Sequence, residues 1–417
     1  MRILVLGKNG REHALVWKIS QSPLVTALYC SPGNPGTAQD AVNVPCDILD
    51  PHAVVALTKK LDIDLLVIGP EDPLAAGVAD AVKQHHPSCA VFGPTCAGAR
   101  LEWSKAYSKG FMKKYGIPTA EYTTFTDRAA AIAYLRECPL PIVVKADGLA
   151  AGKGVVIAYT CDEAVSAVAH LPAEQSLVVE EFLVGREVSV FAITDGYIYH
   201  VLEAAEDHKQ LHDGDTGPNT GGMGAYSPVD YMTLELSTVV RQILDRTLFG
   251  LKQENAEYRG MIYLGLMVTA SGVKLLEYNA RFGDPECQVL MSRLDSDIVP
   301  YLLGAATSQL PLAPLVWSND AVALVVACGG EYPAQGSKGA TINGLEQAQA
   351  RGCIVFHAGT ALAEGQLVTN GGRILNVVGK RPNLDGALRL AYQGMKEISF
   401  ADMRYRTDIG QRKGSHL

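Results

Sequence analysis

The sequence predicts a multidomain protein of the α/β and α+β classes, and three observations support this prediction. First, 417 residues are too many for one hydrophobic core, so about two to four domains are expected. Second, apolar strands and helices alternate near the N-terminus as in a parallel α/β domain; the predicted strands are Ile3 to Leu6, Ala27 to Cys30, Leu65 to Ile68 and Ala90 to Phe92. Third, the pattern beyond the proline-rich stretch Leu310 to Pro314 is typical of an antiparallel sheet with one packed face.

These changes of pattern predict three domains. An N-terminal α/β domain spans 1–103, a core domain spans 104–310 with a lid module inserted at about 122–185, and a β-rich closing domain spans 320–417. A helix is expected over LEWSKAYSKGFMKKYG, which starts at Leu101, and a long helix over Leu234 to Asn255. In the closing domain, His357 and the turn Thr369 to Arg373 are interpreted as structural.

Composition restricts the class of partner and the compartment. The net charge of −8 argues against nucleic acid or an anionic membrane as the main partner. Nine cysteines, an odd number without a C-x-x-C pair, indicate a reducing compartment. Met1 leads directly into a strand, and the prolines between Ile298 and Asn319 disqualify that uncharged stretch as a membrane span. We therefore expect a cytoplasmic protein.

The first strand is followed by a glycine turn and a helix, as in a mononucleotide-binding unit. A dinucleotide fingerprint would need glycine where Asn9 and Glu12 stand, which excludes the dehydrogenase interpretation. Asn9, Gly10 and Arg11 could bind a phosphate at the helix N-terminus. A structural turn with a surface arginine is about equally favoured.

The stretch VVKADGLAAGKGV, from Val143 to Val155, is typical of a strand, a glycine loop and a second strand. It contains three glycines and two lysines, namely Gly148, Gly152, Gly154, Lys145 and Lys153. The spacing is not that of a P-loop, because a strand follows where a helix is required. We interpret the loop as a flap whose N–H groups cover a polyphosphate. Taken alone, a mobile hairpin with solvated lysines is equally favoured.

The last lid strand, VVEEFL, leads from the lid toward the core domain. Its backbone could pair with an adenine, and Glu187 could accept hydrogen bonds from both hydroxyls of a ribose. The alternative is that Glu180 and Glu181 are exposed on an edge strand, and this alternative is favoured in isolation.

The segment from Glu206 to Pro228, EDHKQLHDGDTGPNTGGMGAYSP, is polar, rich in glycine and without periodicity. Such long segments inside a compact domain are uncommon and usually functional. Well-patterned helix and strand follow at once, so we expect the segment to be packed. His208 and His212 lack cysteine partners at zinc spacing and are not interpreted as metal ligands.

A predicted strand, Gly272 to Tyr278, ends in LLEYNARFGDPE. Because strand side chains alternate, Glu277, Asn279 and Arg281 share one face. A carboxylate and an amide oxygen can hold Mg²⁺ on a triphosphate, and a guanidinium can pair with an anionic substrate. This pattern favours a functional face over a solvated one.

Taken together, these motifs resemble those of the glycinamide ribonucleotide synthetase family of ATP-grasp enzymes. The resemblance runs nearly end to end and includes GREH, GPEDPL, LEWSKA, FHAGT and RTDIG. The most specific motifs are DHKQLHDGDTGPNTGGMGAYSP and RFGDPE. The family usually has a second glycine where Asn9 stands, and the lid stretch between Asp162 and Val178 is short. The implied fold is ATP-grasp, with an N-terminal Rossmann-like domain, a small lid and a C-terminal β-rich domain.

The resemblance implies ligation of glycine to 5-phosphoribosylamine through a glycyl phosphate, with ATP and Mg²⁺ or Mn²⁺. The residues expected to bind ATP are Lys105, Lys145, Gly148, Gly152, Lys153, Gly154, Glu180, Glu181, Phe182, Leu183, Glu187 and Lys209. Those expected to bind the other substrates are Asn9, Gly10, Arg11, Gly69, Pro70, Glu71, Thr216, Gly217, Pro218, Asn219, Thr220, Gly221, Gly222, Met223, Gly224 and Arg281. The implied metal ligands are Glu277 and Asn279, and the implied catalytic residues are Arg281 and Lys145, with Asp213 or Asp215 as a candidate proton acceptor.

Two alternatives remain beside this interpretation. Another ATP-grasp ligase or a carboxylase would share the flap and the metal site but should lack GPNTGGMGAYSP. A non-catalytic nucleotide-binding protein should have lost a metal ligand or a flap lysine, and this sequence retains all of them. We expect small-molecule substrates, no nucleic acid, no membrane, and a monomer or weak homodimer.

Overall fold

The computed structural model describes residues 1–149, 154–172 and 174–411. The N-terminal region is a parallel sheet with the strand order β3-β2-β1-β4-β5. Its elements are β1 (Arg2–Gly7), α1 (Gly10–Ser20), β2 (Ala27–Pro32), β3 (Val42–Asn43), α2 (Pro51–Lys60), β4 (Leu65–Ile68), α3 (Glu71–Ala75), α4 (Val78–His85), β5 (Ala90–Phe92) and α5 (Cys96–Trp103). The neighbouring strands β1 and β4 both end at one edge of the sheet, so the turns that follow them lie together.

The helix expected over LEWSKAYSKGFMKKYG is in fact two helices, so that prediction is wrong. Helix α5 ends at Trp103, and α6 (Lys105–Lys114) begins two residues later. Ser104 between them has an extended backbone, and its hydroxyl accepts a hydrogen bond from the backbone N–H of Tyr107 at 3.2 Å. This N-cap starts a new helix. Lys105 therefore occupies the first turn of α6.

The lid consists of β6 (Tyr122–Phe125), α7 (Arg128–Leu135), β7 (Ile142–Ala146), β8 (Val155–Ala158), α8 (Cys161–His170) and β9 (Leu177–Glu181). Its antiparallel strands are ordered β6-β9-β7-β8, and both helices pack on a small apolar core of their own. Because β9 lies between β6 and β7, the edge-strand alternative for Glu180 and Glu181 is wrong. Of the expected flap residues, Gly152 and Lys153 lie outside the described residues.

The middle of the chain contains β10 (Arg186–Thr194), β11 (Tyr199–Val201), β12 (Glu206–Asp207), β13 (Gln210–His212), β14 (Thr216–Asn219), β15 (Gly224–Ser227), α9 (Leu234–Gln253), β16 (Gly260–Thr269), β17 (Gly272–Asn279), α10 (Glu286–Arg293) and α11 (Val299–Thr307). An antiparallel sheet with the order β11-β10-β16-β17 forms its centre. Strands β13 and β14 form a separate hairpin.

The C-terminal region contains β18 (Ala321–Cys328), β19 (Ser337–Thr341), α12 (Leu345–Ala350), β20 (Ile354–His357), β21 (Thr360–Ala363), β22 (Gln366–Gly371), β23 (Arg373–Arg381) and α13 (Leu384–Met395). Its main sheet has the order β12-β15-β18-β23-β20. Strands β12 and β15 of the glycine-rich segment belong to this sheet, so the segment is packed as expected. The sheet therefore joins strands from both sides of the domain boundary expected between 310 and 320. Within the described ranges, no helix combines the length and hydropathy needed to cross a bilayer.

Candidate active site

A cavity of about 500 Å³ is enclosed by all of these regions. Fourteen of the residues expected from the sequence line it, namely Asn9, Arg11, Glu71, Lys105, Lys145, Gly148, Gly154, Glu180, Lys209, Thr220, Gly221, Glu277, Asn279 and Arg281. Residues from the N-terminal turns, the lid, the central sheet and the glycine-rich segment therefore face one space. Such a convergence of charged groups in a concave site is typical of an active site.

One end of the cavity, here called the lysine end, contains Lys105, Lys109, Lys145 and Glu180. The Glu180 side chain is 2% exposed, and its carboxylate lies between two ammonium groups. Lys145 Nζ is 2.9 Å from Glu180 Oε1, and Lys109 Nζ is 2.9 Å from Glu180 Oε2. Two cations thus share one carboxylate, and Lys105 adds a third positive charge.

Burial affects the titration of this lysine end. Desolvation lowers the pKa of Lys109 to about 8, although Glu180 acts in the opposite direction. Desolvation also lowers the pKa of Lys105. Burial raises the pKa of Glu180, but Lys145 and Lys109 outweigh it and bring that pKa below its usual value. The lysine end is therefore a desolvated site with excess positive charge, suited to a polyphosphate.

The first residues of the flap are attached to the start of α6. Asp147 Oδ1 accepts hydrogen bonds from the backbone N–H groups of Ala106 at 3.2 Å and Gly148 at 3.1 Å. Lys105 Nζ donates to the carbonyl oxygen of Gly148 at 2.6 Å. Gly148 has a φ of +106°, a conformation that favours glycine. These contacts place Gly148, at the start of the flap, beside Lys105.

Glu277 and Asn279 line the cavity wall formed by β17. Asn279 Oδ1 accepts a hydrogen bond from Arg281 Nη2 at 3.1 Å. In the described ranges, three or more His, Cys, Asp or Glu side chains do not gather into a metal-binding group. Two hard oxygen ligands nevertheless fit Mg²⁺, which takes its remaining ligands from phosphate and water. The donor set at this wall is therefore suited to a metal–nucleotide complex.

A second part of the cavity, here called the arginine end, contains Arg11, Arg281 and Arg373 with Glu71, Glu102 and Asp284. Arg281 Nε donates to Glu71 Oε2 at 3.0 Å, and its Nη2 is 2.9 Å from Glu102 Oε1. Glu102 also accepts from the backbone N–H of Ala280 at 2.7 Å. The carboxylates of Glu71 and Glu102 thus fix the orientation of the Arg281 side chain.

The two carboxyl groups beside Arg281 titrate differently. Burial raises the pKa of Glu102 to about 7, against the opposing effect of Arg281. Burial acts on Glu71 in the same direction, but Arg281 and Arg11 together lower its pKa to about 2. Glu71 is thus the permanent anion of the pair, because two guanidinium groups face it.

Arg11 is buried, so the alternative of a surface arginine is wrong. Its Nε is 2.6 Å from Glu12 Oε1, and Nη1 donates to the carbonyl oxygen of Phe282 at 3.0 Å. Glu12 also accepts from the backbone N–H of Asn9 at 2.8 Å, which stabilises the turn despite the missing glycine. Gly10 faces away from the cavity, because an added Cβ would lie 2.4 Å from Asn376 Nδ2.

Several residues expected at the site lie elsewhere. Asp213 accepts a hydrogen bond from the backbone N–H of Thr407 at 2.8 Å, and Asp215 Oδ1 lies 2.8 Å from Arg406 Nη1. Their positions do not support the role of proton acceptor. The remaining expected residues that are absent from the cavity lining are Gly10, Gly69, Pro70, Glu181, Phe182, Leu183, Glu187, Thr216, Gly217, Pro218, Asn219, Gly222, Met223 and Gly224.

Two of these, Glu187 and Gly222, still contact residues that line the cavity, whereas Glu181 does not. Glu187 pairs with Lys209, which lines the cavity and is also 3.2 Å from Asp207. Burial opposes the charge of Lys209, but Asp207 and Glu187 raise its pKa well above the usual value. Glu181 is exposed and pairs with Lys274 at 3.0 Å. Gly222 donates its N–H to Thr220 Oγ1 at 3.0 Å.

Sequence reasoning missed several residues of the cavity, among them Glu102, Lys109, Asp284 and Arg373. Lys109 stands four positions after Lys105, a helical spacing that could have revealed it. Arg373, interpreted as structural, donates from Nη1 to the carbonyl oxygens of Gly221 and Asp284, both at 2.6 Å. No local motif identifies Arg373, because tertiary folding brings it there.

Comparison with known proteins identifies the family. The sequence matches Phosphoribosylglycinamide synthetase, N domain, over residues 1–102, the ATP-grasp (A) domain of the same synthetase over 103–287, and its C domain over 321–412. Phosphoribosylamine–glycine ligase from Mesorhizobium japonicum is 47% identical over 417 residues, covering 98% of each chain. The ligase of the same name from Nostoc sp. is 46% identical over 427 residues, covering 100% of each chain.

Solved structures agree with this assignment. The crystal structure of phosphoribosylamine–glycine ligase from Thermotoga maritima has a TM-score of 0.85 and 33% identity, with 98% of this chain and 100% of that chain covered. A biotin carboxylase domain from Hydrogenobacter thermophilus shares the fold, with a TM-score of 0.72 at 15% identity, over 97% of this chain and 91% of that chain. The predicted ATP-grasp fold is confirmed, and the chain belongs to the phosphoribosylglycinamide synthetase family.

Proposed function

We propose that this cavity joins glycine to 5-phosphoribosylamine at the expense of ATP, yielding glycinamide ribonucleotide, ADP and phosphate in purine biosynthesis. One observation carries the proposal. A lysine end, which contains three lysines and one carboxylate, and an arginine end with fixed carboxylate partners line the same cavity, together with Glu277 and Asn279. This arrangement suits a reaction between a polyphosphate and small polar substrates. The names of the relatives support the choice of substrates.

ATP occupies the lysine end in this proposal. Lys105 and Lys145 hold the α and β phosphates, and the flap that includes Gly148, Gly152, Lys153 and Gly154 covers them. Phosphoryl transfer depends mainly on positioning and charge neutralisation, which lysines and backbone N–H groups supply. The backbone from Val179 to Leu183 pairs with adenine, and Glu187 binds the ribose, with Lys209 beside it.

Glu277 and Asn279 are the proposed ligands of Mg²⁺ or Mn²⁺. The metal, when bound, neutralises charge on the phosphates. Asn279 also accepts from Arg281, so the amide links the metal wall to the arginine end. A shift of Arg281 would therefore disturb both the metal ligand Asn279 and the arginine end.

The reaction then proceeds in two displacements. A carboxylate oxygen of glycine attacks the γ-phosphorus, the bond to ADP breaks, and glycyl phosphate forms. The unprotonated amine of phosphoribosylamine attacks the acyl carbon, and phosphate leaves with the electron pair of the broken C–O bond. The departing phosphate takes up the proton that the amine nitrogen loses. Arg281, Thr220 and Gly221 position the acyl group and exclude water, which would otherwise hydrolyse it. The sugar phosphate lies near Asn9, Arg11 and Glu71.

The test is release of ADP and phosphate from ATP in the presence of glycine and phosphoribosylamine together. We expect stoichiometric glycinamide ribonucleotide, identified by mass, and little release when either substrate is omitted. Bicarbonate in place of glycine tests the carboxylase alternative. Release that depends on bicarbonate and not on glycine would overturn the proposal, and so would nucleotide binding without turnover.

We further propose a cytoplasmic protein that is a monomer or weak homodimer and takes neither nucleic acid nor membrane as a partner. The net charge of −8 supports the exclusion of nucleic acid and anionic membranes as partners. Sedimentation at several protein concentrations tests the oligomeric state. A stable higher oligomer would contradict it.

A further inference from the structure

The C-terminal segment from Arg404 to Gly410, here called the C-terminal clasp, packs against the β13–β14 hairpin. Several of its residues form hydrogen bonds with the hairpin and with His208, which precedes β13. Arg406 Nη1 donates to the carbonyl oxygen of Gln210 at 3.1 Å and to Asp215 Oδ1 at 2.8 Å. In the turn, Asp213 Oδ1 accepts from the Thr407 N–H at 2.8 Å, and the Gly214 N–H donates to Asp408 Oδ2 at 2.8 Å. Just before the hairpin, His208 Nε2 accepts from the Gly410 N–H at 2.9 Å. The clasp therefore contacts the start of β13 and the turn between the two strands of the hairpin.

Arg406 is the centre of the clasp. Its side chain is 1% exposed, and its Nε and Nη2 each donate to Asp408 at 2.8 Å. Nη1 reaches Asp215 and Gln210 on the hairpin. A planar guanidinium can make all these bonds at once, whereas a lysine ammonium cannot reproduce the fork.

The clasp is itself fixed to the C-terminal sheet. Arg404 and Cys328 exchange two backbone hydrogen bonds at 2.8 Å each. Tyr392 of α13 donates its hydroxyl proton to the carbonyl oxygen of Arg406 at 3.1 Å and accepts from the N–H of Ile409 at 3.0 Å. The hairpin is thus attached to a rigid part of the fold.

The base of the hairpin forms part of the cavity wall. Lys209, just before β13, and Thr220 and Gly221, just after β14, line the cavity. Thr220 donates from both its backbone N–H and its hydroxyl to the carbonyl oxygen of Lys209, each at 2.8 Å. Displacement of the hairpin would move Thr220 and Gly221, although Arg406 does not line the cavity. The side chain of Lys209 is held separately by its ion pairs with Glu187 and Asp207.

We propose that Arg406 is a positioning residue, which holds the β13–β14 hairpin so that Thr220 and Gly221 keep water from the activated glycine. The inference rests on the proposed function. Loss of Arg406 leaves the lysine end intact, so ATP still binds and glycyl phosphate still forms. The acyl group is then held less accurately, and more of it is lost to water.

The experiment compares Arg406→Met with Arg406→Lys and with the control Arg351→Met. Arg351 pairs with Glu397 on the surface of the same region, so its loss tests a general effect of removing an arginine. For Arg406→Met we expect the KM for glycine to rise by roughly tenfold to a hundredfold, with the KM for ATP unchanged. Phosphate released should exceed glycinamide ribonucleotide formed, and Arg406→Lys should recover only part of the coupling.

Thermal unfolding of each variant establishes that it is folded. If Arg406→Met does not fold, Thr407→Val removes only the hydroxyl that donates to Asp213 and should uncouple more weakly in the same direction. Wild-type coupling and glycine KM in a folded Arg406→Met variant would overturn the inference, as would equal rises in both KM values. Failure of the wild type to ligate glycine would instead overturn the proposed function.

Discussion

The two ends of the cavity use different cations in different ways. At the lysine end, Lys109 and Lys145 share the single carboxylate of Glu180, and Lys105 donates to a backbone carbonyl. Desolvation lowers the pKa of Lys105 and Lys109. The lysine end therefore holds positive charge that the protein only partly neutralises.

At the arginine end the charges are paired more completely. Arg281 contacts Glu71 and Glu102, and Arg373 Nη2 lies 3.3 Å from Asp284. Burial acts against the charge of Arg281, but its two carboxylates raise its pKa above the usual value. Here the guanidinium forks fix the positions of neighbouring groups.

Because its cations are paired in these two ways, one cavity can serve two tasks. A polyphosphate needs cations that can exchange a protein carboxylate for a ligand, and a flexible lysine stem allows this. A short-lived acyl group needs fixed geometry, which bidentate arginine networks provide. Substitutions at the two ends should therefore fail in different ways.

The largest expected effect is a loss of activity at Glu277, in the cavity wall formed by β17. Glu277→Ala should lower kcat by about 10²- to 10³-fold, because the metal that would neutralise the phosphates then loses a protein ligand. Steady-state kinetics with saturating Mg²⁺ measure the loss, and thermal unfolding should match the wild type. Glu257→Ala, which removes a partly exposed surface carboxylate, is the matched control. Near-normal rates in Glu277→Ala would refute the metal assignment.

The next largest effect is expected on stability at the arginine end. Arg281→Met should lower the free energy of unfolding by about 3 kcal/mol, because it leaves Glu71 and Glu102 without their shared cation. Urea denaturation measures the change, and Arg351→Met at the surface should shift the curve little. An unchanged unfolding free energy in Arg281→Met would show that this end is not held by charge pairing.

Much of the fold follows from local sequence pattern. Strand β5 was predicted with its observed bounds, Ala90–Phe92, and β4 with Leu65–Ile68, because each is a short β-forming run beside residues that favour turns or helix starts. The break at Ser104 was missed, since a serine inside a continuous helical pattern can face solvent or cap a new helix. The pairing of β15 with β18 joins distant parts of the chain, and no local pattern specifies it.

The same contrast applies to the candidate site. Glu277, Asn279 and Arg281 stand at alternate positions in the sequence, so strand alternation sufficed to group them, although β17 ends at Asn279. Asp213 was misplaced, because an acid in a glycine-rich segment looks the same whether it faces a cavity or the C-terminal clasp. Arg373 reaches the cavity through the C-terminal sheet, which only the tertiary structure reveals.

Lys145→Met tests the lysine end by removing one of its exchangeable cations. ATP affinity should fall by about 10- to 100-fold, as expected for the loss of a charged hydrogen bond. Stability should change little, because Lys109 still compensates Glu180, in contrast to Arg281→Met. Isothermal titration with ATP measures the affinity, and Lys114→Met on the exposed end of α6 is the control. Unchanged affinity would remove Lys145 from the phosphate site.

The smallest expected effect is a pH dependence that belongs to Lys109. Its pKa is lowered to about 8, with Glu180, Lys145 and Glu277 as the charged groups that act on it. Its positive charge is present below that pH and lost above it, so ATP affinity should fall severalfold as pH rises through about 8. Lys109→Arg keeps its charge and should remove this part of the dependence, while Lys113→Arg should not.

Stability should move in the opposite direction, which separates this effect from general alkaline damage. The pKa of Lys109 in the folded protein lies below the value near 10.5 of an unfolded lysine. Between the two values the unfolded state binds more protons, so the contribution of Lys109 to the free energy of unfolding rises with pH. Urea denaturation of the wild type and of Lys109→Arg across this range measures the difference. If ATP affinity and this contribution to stability both fell as pH increased, Lys109 would not be the titrating group. The lysine end would then be less desolvated than its contrast with the arginine end implies.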